Sequence, residues 1–361
     1  MSQRCVMIMA GGTGGHVFPG LAVARQLAAA DQRIVWLGTR QGMEAKIVPA
    51  AGIAMEWISV GGLRGKGWST WLLAPARLVK ALWQSIAAIR RQRPEVVLGL
   101  GGFVSGPGGL AAWLLRRPLL IHEQNAVAGL TNRILARVAT GVFEAFPASF
   151  PPSRRAVTIG NPIRPEIAAL NPPEQRLGGR TGPVRILVLG GSQGALALNR
   201  LLPAALALLK SRCEFEILHQ AGERTMETAR IAYSEAGIAA RIVSFVDDMA
   251  AAYAWADIAV CRSGALTVGE LAAAGIASVL VPFPAAVDDH QSANAHYLGD
   301  AGAALLLQEA DLDAESLAAA IEPLLSNRVK LLEMAVAARA LAMPEALPQL
   351  SAACLAVRGS R

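Results

Sequence analysis

Short apolar runs ending in glycine, each followed by a longer stretch with apolar residues at helical spacing, recur along the chain. Residues 5–10 form one such run; GGTGG and a helical segment at about 17–30 follow it. Residues 33–37, 96–100, 119–121 and 157–159 read as further strands. The pattern restarts at 184–189, with GGSQG and a helix at about 195–210 after it. Later strands are expected at 215–218, 242–245, 258–261, 278–281 and 304–307. Strands alternating with helices predict an α/β protein with parallel, doubly wound sheets. The halves open alike, VMIMAGGTGG against ILVLGGSQG, which predicts two similar domains with a cleft between them. Both glycine loops then lie at the carboxyl ends of first strands, where open α/β sheets place their ligands.

Residues 147–183 carry eight of the 20 prolines and are the best candidate boundary. The expected division is 1–162, 163–340 and a C-terminal helical segment, 341–361, with the option of packing back on the first domain. Residues 96–115 are 20 positions without a charge, long enough to span a bilayer. Six glycines and Pro107 weaken a helix there, so a strand, a glycine loop and a helix start fit better. At 361 residues, 53% hydrophobic and 17% charged, the chain has ample core material, and wholesale disorder is excluded. The four cysteines are widely spaced and form no CxxC, which argues for a reducing compartment and against a structural zinc site. The N-terminus lacks a signal-peptide cleavage pattern.

The net charge of +7 is uneven. Residues 1–163 hold 18 Lys and Arg against 6 Asp and Glu, and the remainder is net acidic. The basic half favours an anionic partner. Between Glu56 and Glu95 there is no acid, while Arg64, Lys66, Arg77, Lys80, Arg90, Arg91 and Arg93 accompany Trp57, Trp68, Trp71 and Trp83. Interfacial tryptophan beside cations suits an anionic bilayer surface. A solvated basic face whose leucines are core is the plainer account.

Several short motifs carry candidate chemistry. The loop from Gly11 to Gly15 lets backbone N–H groups approach a phosphate at a positive helix end, or is simply a tight turn. Val17 breaks the dinucleotide spacing, so a nicotinamide enzyme is disfavoured. His16 closes the loop and suits a general base near neutral pH, or a structural hydrogen bond. Ser192 in GGSQG can donate to a phosphate or cap a helix. Ser263 can cap the helix that begins near Ala265, whose free N–H groups can receive a diphosphate. Glu270, a turn further on, can accept from sugar or ribose hydroxyls or compensate the helix dipole. His122-Glu123-Gln124-Asn125 places four polar residues after a buried strand. Asp288-Asp289-His290-Gln291 could form a metal site, but adjacent carboxylates point apart; Asp311 and Asp313 read as a helix cap. No metal and no cofactor is expected.

Taken together these segments resemble the MurG family. The matching stretches are AGGTGGHVFPGLAVA, GLRGKG, GGFVSGPGGLAAW, HEQNAVAGLTNR, GNPIR, VLGGSQGA, VDDMAAAYAWAD, CRSGALTVGELAAAG and DDHQSANA, in order from residue 10 to 295. Any one is weak; the ordered set is highly specific. The resemblance implies a GT-B glycosyltransferase with two Rossmann-like domains, moving GlcNAc from UDP-GlcNAc to the MurNAc 4-hydroxyl of lipid I to give lipid II. It implies an acceptor- and membrane-facing N-terminal domain and a UDP-GlcNAc-binding C-terminal domain. Thr13, Gly14, Gly15, Asn125, Arg164, Ser192 and Val246 would contact the donor. Ala265, Leu266, Thr267, Val268, Gly269 and Glu270 would bind its nucleotide, and Gln291 would read GlcNAc hydroxyls. His16 matches the histidine proposed as base, with His122 and Glu123 as candidates for a proton relay. Phe103 stands where some members carry Tyr. The expected location is peripheral, on the cytoplasmic side of the inner membrane through residues 57–93. Other cell-wall synthesis proteins are allowed as partners and nucleic acid is not; roles in cell shape and division follow. A different UDP-sugar enzyme on this fold, such as a 2-epimerase, and a membrane scaffold are the competing readings.

Overall fold

The computed structural model describes residues 3–60, 74–191, 194–284 and 289–357. They fall into two compact units, residues 1–163 with 344–361, and residues 164–343.

The first unit runs β1 (Cys5–Met9), α1 (Gly14–Ala29), β2 (Arg33–Gly38), α2 (Glu44–Ala50), β3 (Ala54–Trp57), α3 (Ala74–Gln92), β4 (Val96–Gly99), α4 (Ser105–Leu114), β5 (Leu119–Glu123), α5 (Leu130–Leu135), β6 (Gly141–Glu144) and β7 (Val157–Thr158). Its sheet has the order β3-β2-β1-β4-β5-β6-β7, all parallel. The central strands are buried on both faces, which explains their unbroken apolar runs. The order reverses between β1 and β4, so the loops after those two strands flank the switch point where such sheets bind ligands. The chargeless stretch 96–115 is β4, a glycine turn and α4.

The second unit contains α6 (Pro165–Ala168), α7 (Pro173–Leu177), β8 (Val184–Leu189), α8 (Leu196–Leu209), β9 (Phe215–Gln220), α9 (Met226–Ala236), β10 (Arg241–Val243), α10 (Met249–Trp255), β11 (Ile258–Cys261), α11 (Ala265–Ala274), β12 (Ala277–Leu280), α12 (His290–Gly299), β13 (Ala304–Leu306), α13 (Ala314–Leu325) and α14 (Arg328–Ala340). Its parallel sheet, β10-β9-β8-β11-β12-β13, reverses between β8 and β11. The last helix, α15 (Ala346–Ala356), belongs to the first unit. Its Leu347, Leu350 and Cys354 join the core of β1 and α1, and Arg4 donates to the Leu355 and Val357 carbonyls at 2.6 and 2.8 Å.

Two strands escape the apolar pattern, β3 (AMEW) and β6 (GVFE). Each holds a buried glutamate that interrupts its apolar run. Glu56 pairs with Arg91 and Gln92, while Glu144 accepts from the Ala148 and Phe150 N–H groups and the Thr158 hydroxyl. Asp313 caps α13 in a capping box with Ser316, as its spacing suggests.

The pose of α1 depends on close contact with the sheet. A Cβ on Gly20 would lie 2.5 Å from the Trp36 ring and 2.9 Å from Leu100. The Trp36 indole donates to the Ala10 carbonyl at 2.9 Å, tying β2 to the start of the first glycine loop. Gly20→Ala therefore overpacks this seam. We expect it to destabilise the first unit by about 1–3 kcal/mol, read as a lower denaturation midpoint; an unchanged midpoint would contradict the packing argument.

Candidate active site

At the first switch point two glycine turns interlock. A Cβ on Gly102, where φ is +77°, would sit 2.3 Å from the Gly11 carbonyl oxygen, so only glycine allows the two loops to touch. Fully buried Glu44 braces the first loop from below, accepting from the Gly12 N–H at 3.0 Å and from the Thr39 N–H and hydroxyl at 3.0 and 2.8 Å. Ser105, also buried, receives the Gly101 N–H at 3.1 Å and steadies the second loop. Thr13 is the N-terminal boundary residue of α1 and makes no side-chain cap. The Gly14 and Gly15 N–H groups accordingly stand at a helix end with no intrahelical acceptor.

His16 leaves this loop half-buried. Its Nδ1 lies 2.8 Å from Gln124 Oε1, and a Cβ on Gly101 would meet the ring at 2.9 Å. Gln124 Nε2 reaches His122 Nδ1 at 3.0 Å, and His122 Nε2 lies 2.9 Å from the Gly160 carbonyl oxygen. His122 is completely buried, and that burial pushes its pKa down to about 4. Glu123 points elsewhere. Its oxygens accept from the Asn125 N–H and side-chain amide, the Gly129 N–H and the Asn132 amide at 2.8–3.1 Å, which closes the β5–α5 loop. Asn125 is thereby a loop-tying residue, not a helix cap; α5 starts after Gly129.

In the second unit, the loop after β8 contains Ser192, which lies outside the described residues, as does Asp288. Gly194, at φ +80°, packs where a Cβ would strike the Thr225 hydroxyl and the Ala221 carbonyl. Those two are held by Asn199, which donates to the Ala221 and Thr225 carbonyls and faces buried His219. After β11 comes α11, with Gly264 as its boundary residue and Leu266 and Thr267 in its open first turn. Ser263 does not cap it, contrary to expectation. It stands one residue too early, its carbonyl receives the Asn294 amide, and its buried hydroxyl has no partner among the described residues. Val268 and Gly269 continue the same helix.

Glu270 is engaged within its own unit by Arg164, at 2.7 and 3.1 Å, and by the Tyr253 hydroxyl at 3.2 Å. Burial pushes its carboxyl pKa up against the opposing pull of Arg164. Val246 gives its N–H to Gln220 at 3.1 Å, and Gln291 receives the Phe283 N–H at 2.9 Å, steadying the turn before α12. The His16, His122, Glu123 and Asn125 predictions converge at one edge of the first sheet, and 264–270 with Arg164 converge in the second unit. Glu44, Gly101, Gln124 and Tyr253 are not singled out by the sequence reading: Glu44 sits in a helical stretch without a motif, whereas Gly101, Gln124 and Tyr253 lie inside the quoted GGFVSGPGGLAAW, HEQNAVAGLTNR and VDDMAAAYAWAD. Among the described residues no group of three or more His, Cys, Asp and Glu is placed to hold a metal ion.

Away from these loops, α3 is built inside out. Ala74, Ala81, Ser85, Ala88 and Ile89 face the core, and Leu78, Val79 and Trp83 (65% exposed) face out beside exposed Arg77, Lys80 and Arg90. Adjacent α4 and α5 add exposed Leu110, Trp113, Leu114, Leu130 and Ile134, with Arg116, Arg133 and Arg137 exposed beside them. Trp57 is half-buried under the Arg40 guanidinium. Arg64, Lys66, Trp68 and Trp71 lie outside the described residues. No helix of the described residues is long and apolar enough to cross a membrane.

Residues 6–144 match the Glycosyltransferase family 28 N-terminal domain, and residues 185–350 match the Glycosyltransferase family 28 C-terminal domain. The chain is 58% identical over 352 residues, 98% of both chains, to the UDP-N-acetylglucosamine–N-acetylmuramyl-(pentapeptide) pyrophosphoryl-undecaprenol N-acetylglucosamine transferase of Nitrosococcus oceani. The equivalent transferase of Burkholderia cenocepacia is 52% identical, over 99% of this chain and 98% of that one. The crystal structure of Acinetobacter baumannii MurG superposes with a TM-score of 0.86 at 42% identity, covering 98% of this chain and 99% of that one.

Burial holds the two buried imidazoles, His122 and His219, at pKa values of about 4, against about 6.5 in an unfolded chain. Below 6.5 the unfolded chain binds protons that the folded chain refuses, so stability falls as pH drops from about 6.5 toward about 4. Denaturant unfolding between pH 7 and 5 should show this slope, with Glu270, whose carboxyl pKa burial pushes up, acting in the opposite sense. His219→Gln, which keeps a donor and an acceptor, should remove that residue's share; a flat profile in the parent protein would contradict the burial argument.

Proposed function

The chain belongs to the MurG family within glycosyltransferase family 28, and from that membership we propose how its residues divide the work of one reaction. It is an N-acetylglucosaminyltransferase that moves GlcNAc from UDP-GlcNAc to the undecaprenyl-diphosphate-linked MurNAc-pentapeptide, giving lipid II. The observation that carries the residue-level reading is His16. It stands in the first turn of α1, directly after the first glycine loop at the β1/β4 switch point, and no described residue hydrogen-bonds its Nε2.

The transfer is an inverting single displacement. His16 Nε2 takes the proton of the MurNAc 4-hydroxyl, that oxygen bonds to the anomeric carbon of GlcNAc, and the bond from that carbon to the UDP oxygen breaks with its electron pair leaving on UDP. Charge developing on the diphosphate is received by the first turn of α11 around Leu266 and Thr267, and by the loop carrying Ser192; fixed dipoles of this kind stabilise a leaving group without a metal. The nucleotide lies along 265–270, where Glu270, held by Arg164 and Tyr253, faces hydroxyls. Thr13, Gly14, Gly15, Asn125 and Val246 complete the donor contacts, and Gln291 reads the sugar. Glu123 shapes the Asn125 loop through its four N–H donors and moves no proton; His122 acts behind His16.

The exposed apolar face of α3, α4 and α5 and its arginines support peripheral attachment to an anionic membrane. Large apolar side chains directed outward beside cations suit the headgroup boundary, and the acceptor's polyprenyl chain lies in that bilayer. On this reading the enzyme works on the cytoplasmic side of the inner membrane, serving wall synthesis in growth and division alongside other cell-wall synthesis proteins.

Two measurements test the reading. His16→Ala should lower turnover of a short-chain lipid I analogue by about 10²–10⁴-fold with UDP binding retained, and EDTA should leave the parent rate unchanged; a loss below about tenfold would remove His16 from the role. Trp83→Ala with Arg77→Ala and Lys80→Ala should weaken sedimentation with phosphatidylglycerol vesicles by at least about tenfold, at about 1 kcal/mol per cation. Turnover of a water-soluble acceptor should be unchanged. Equal vesicle binding would overturn the membrane assignment.

A further inference from the structure

We infer that Gln124 is a positioning residue that locks His16 as its Nδ1–H tautomer, through a buried hydrogen-bond relay running from His16 to the Gly160 carbonyl. This deepens the reading of His16 as base and rests on it for its catalytic consequence, though not for its structural content.

The direction of every bond in the relay follows from the far end. The Gly160 carbonyl oxygen can only accept, so His122 Nε2, 2.9 Å away, carries a proton. His122 is completely buried, and its pKa of about 4 leaves the ring neutral at working pH, so its Nδ1 carries a lone pair. Only the amide nitrogen of Gln124 can satisfy that lone pair, at 3.0 Å, and its second N–H donates to the His122 carbonyl at 3.1 Å. The amide is thus fixed with its oxygen toward His16. An amide oxygen 2.8 Å from Nδ1 demands a proton on that nitrogen, and a neutral His16 then has its lone pair on Nε2.

A free imidazole has no comparable constraint, so the relay selects the tautomer a proton acceptor needs. The Asn161 side-chain amide donates to the Gln124 backbone carbonyl at 3.1 Å, anchoring the main chain that carries this side chain, and Gly101 leaves room for the His16 ring. The nearby carboxylates do not compete. Glu123 is taken up by the Asn125 loop, and Glu44 by the Gly12 and Thr39 N–H groups. Because the orienting group is a neutral amide and not a carboxylate, it fixes geometry without adding a negative charge beside the imidazole.

The test reads the tautomer directly. The chain has five histidines, so long-range proton–nitrogen correlation spectra of the ¹⁵N-labelled protein resolve each ring, with His16→Ala assigning the signal. We expect Nδ1–H on His16 in the parent protein and a shift toward Nε2–H in Gln124→Leu. The same variant should lose about 10- to 100-fold in kcat, with KM for UDP-GlcNAc within about twofold, since a mis-set tautomer impairs proton transfer and not donor binding. Gln124→Glu keeps an acceptor toward His16; it should recover part of the rate and move the acid limb of the kcat/KM profile to higher pH. Nε2–H on His16 in the parent protein, or turnover of Gln124→Leu within twofold of the parent with the tautomer unchanged, would overturn the lock. If Gln124→Leu does not fold, the parent spectrum alone decides. Nδ1–H on His16 together with an active His16→Ala would uphold the lock and remove the base reading.

Discussion

His16 and the two glycine loops of the first unit depend on how closely two backbone turns approach one another at the carboxyl edge of its sheet. Gly102 and Gly11 touch at a distance that no side chain permits, and this contact sets the loop after β1 against the loop after β4. Parallel strands deliver their loops to one edge, and the reversal of strand order leaves the β1 and β4 loops side by side without a crossing helix between them. The glycines are therefore a steric requirement of the geometry before they are a feature of binding. His16 inherits its position from that approach, because its ring occupies the space a Gly101 side chain would take.

Loops at such an edge carry backbone N–H groups that a buried environment must satisfy. In the first unit this falls largely to acidic side chains. Glu44 receives the Gly12 and Thr39 N–H groups, Glu123 those of Asn125 and Gly129, and Glu144 those of Ala148 and Phe150. Glu123 and Glu144 are paired in register across β5 and β6, so neighbouring loops are closed by the same device. A carboxylate accepting several N–H donors tolerates burial because its lone pairs are used. The first unit thus buries four of its seven acids, Glu44, Glu56, Glu123 and Glu144, and leaves its surface cationic, which suits an acceptor bearing a diphosphate.

The second unit solves the same problem differently. Its glycine loop is shaped by Ala221 and Thr225, which Asn199 and the buried neutral His219 hold in turn. The loop after β11 is shaped by Asn294 and by Arg262, which bonds the Val281 and Pro282 carbonyls and lies over Phe283. Neutral amides and one arginine, itself paired with Glu309, serve here.

Much of this was legible in the residues alone. Apolar runs located eleven of the thirteen strands among the described residues, most of them because a strand buried on both faces has no polar position to disguise it. The ordered motifs identified the family, because their order and spacing are carried by the local sequence itself. The strands β3 and β6 were missed, since a buried glutamate cannot be told from a solvated one until its donors are known. The roles of Gln124 and Glu44 were hidden for the same reason. Each acts on a partner between 32 and 108 positions away, and hydrogen-bond direction is settled by what lies across the fold. Local sequence determines backbone propensity and periodicity, which are short-range. The tautomer of a histidine, the partner of a carboxylate and the outward turn of Trp83 are set by neighbours that only the folded chain brings together.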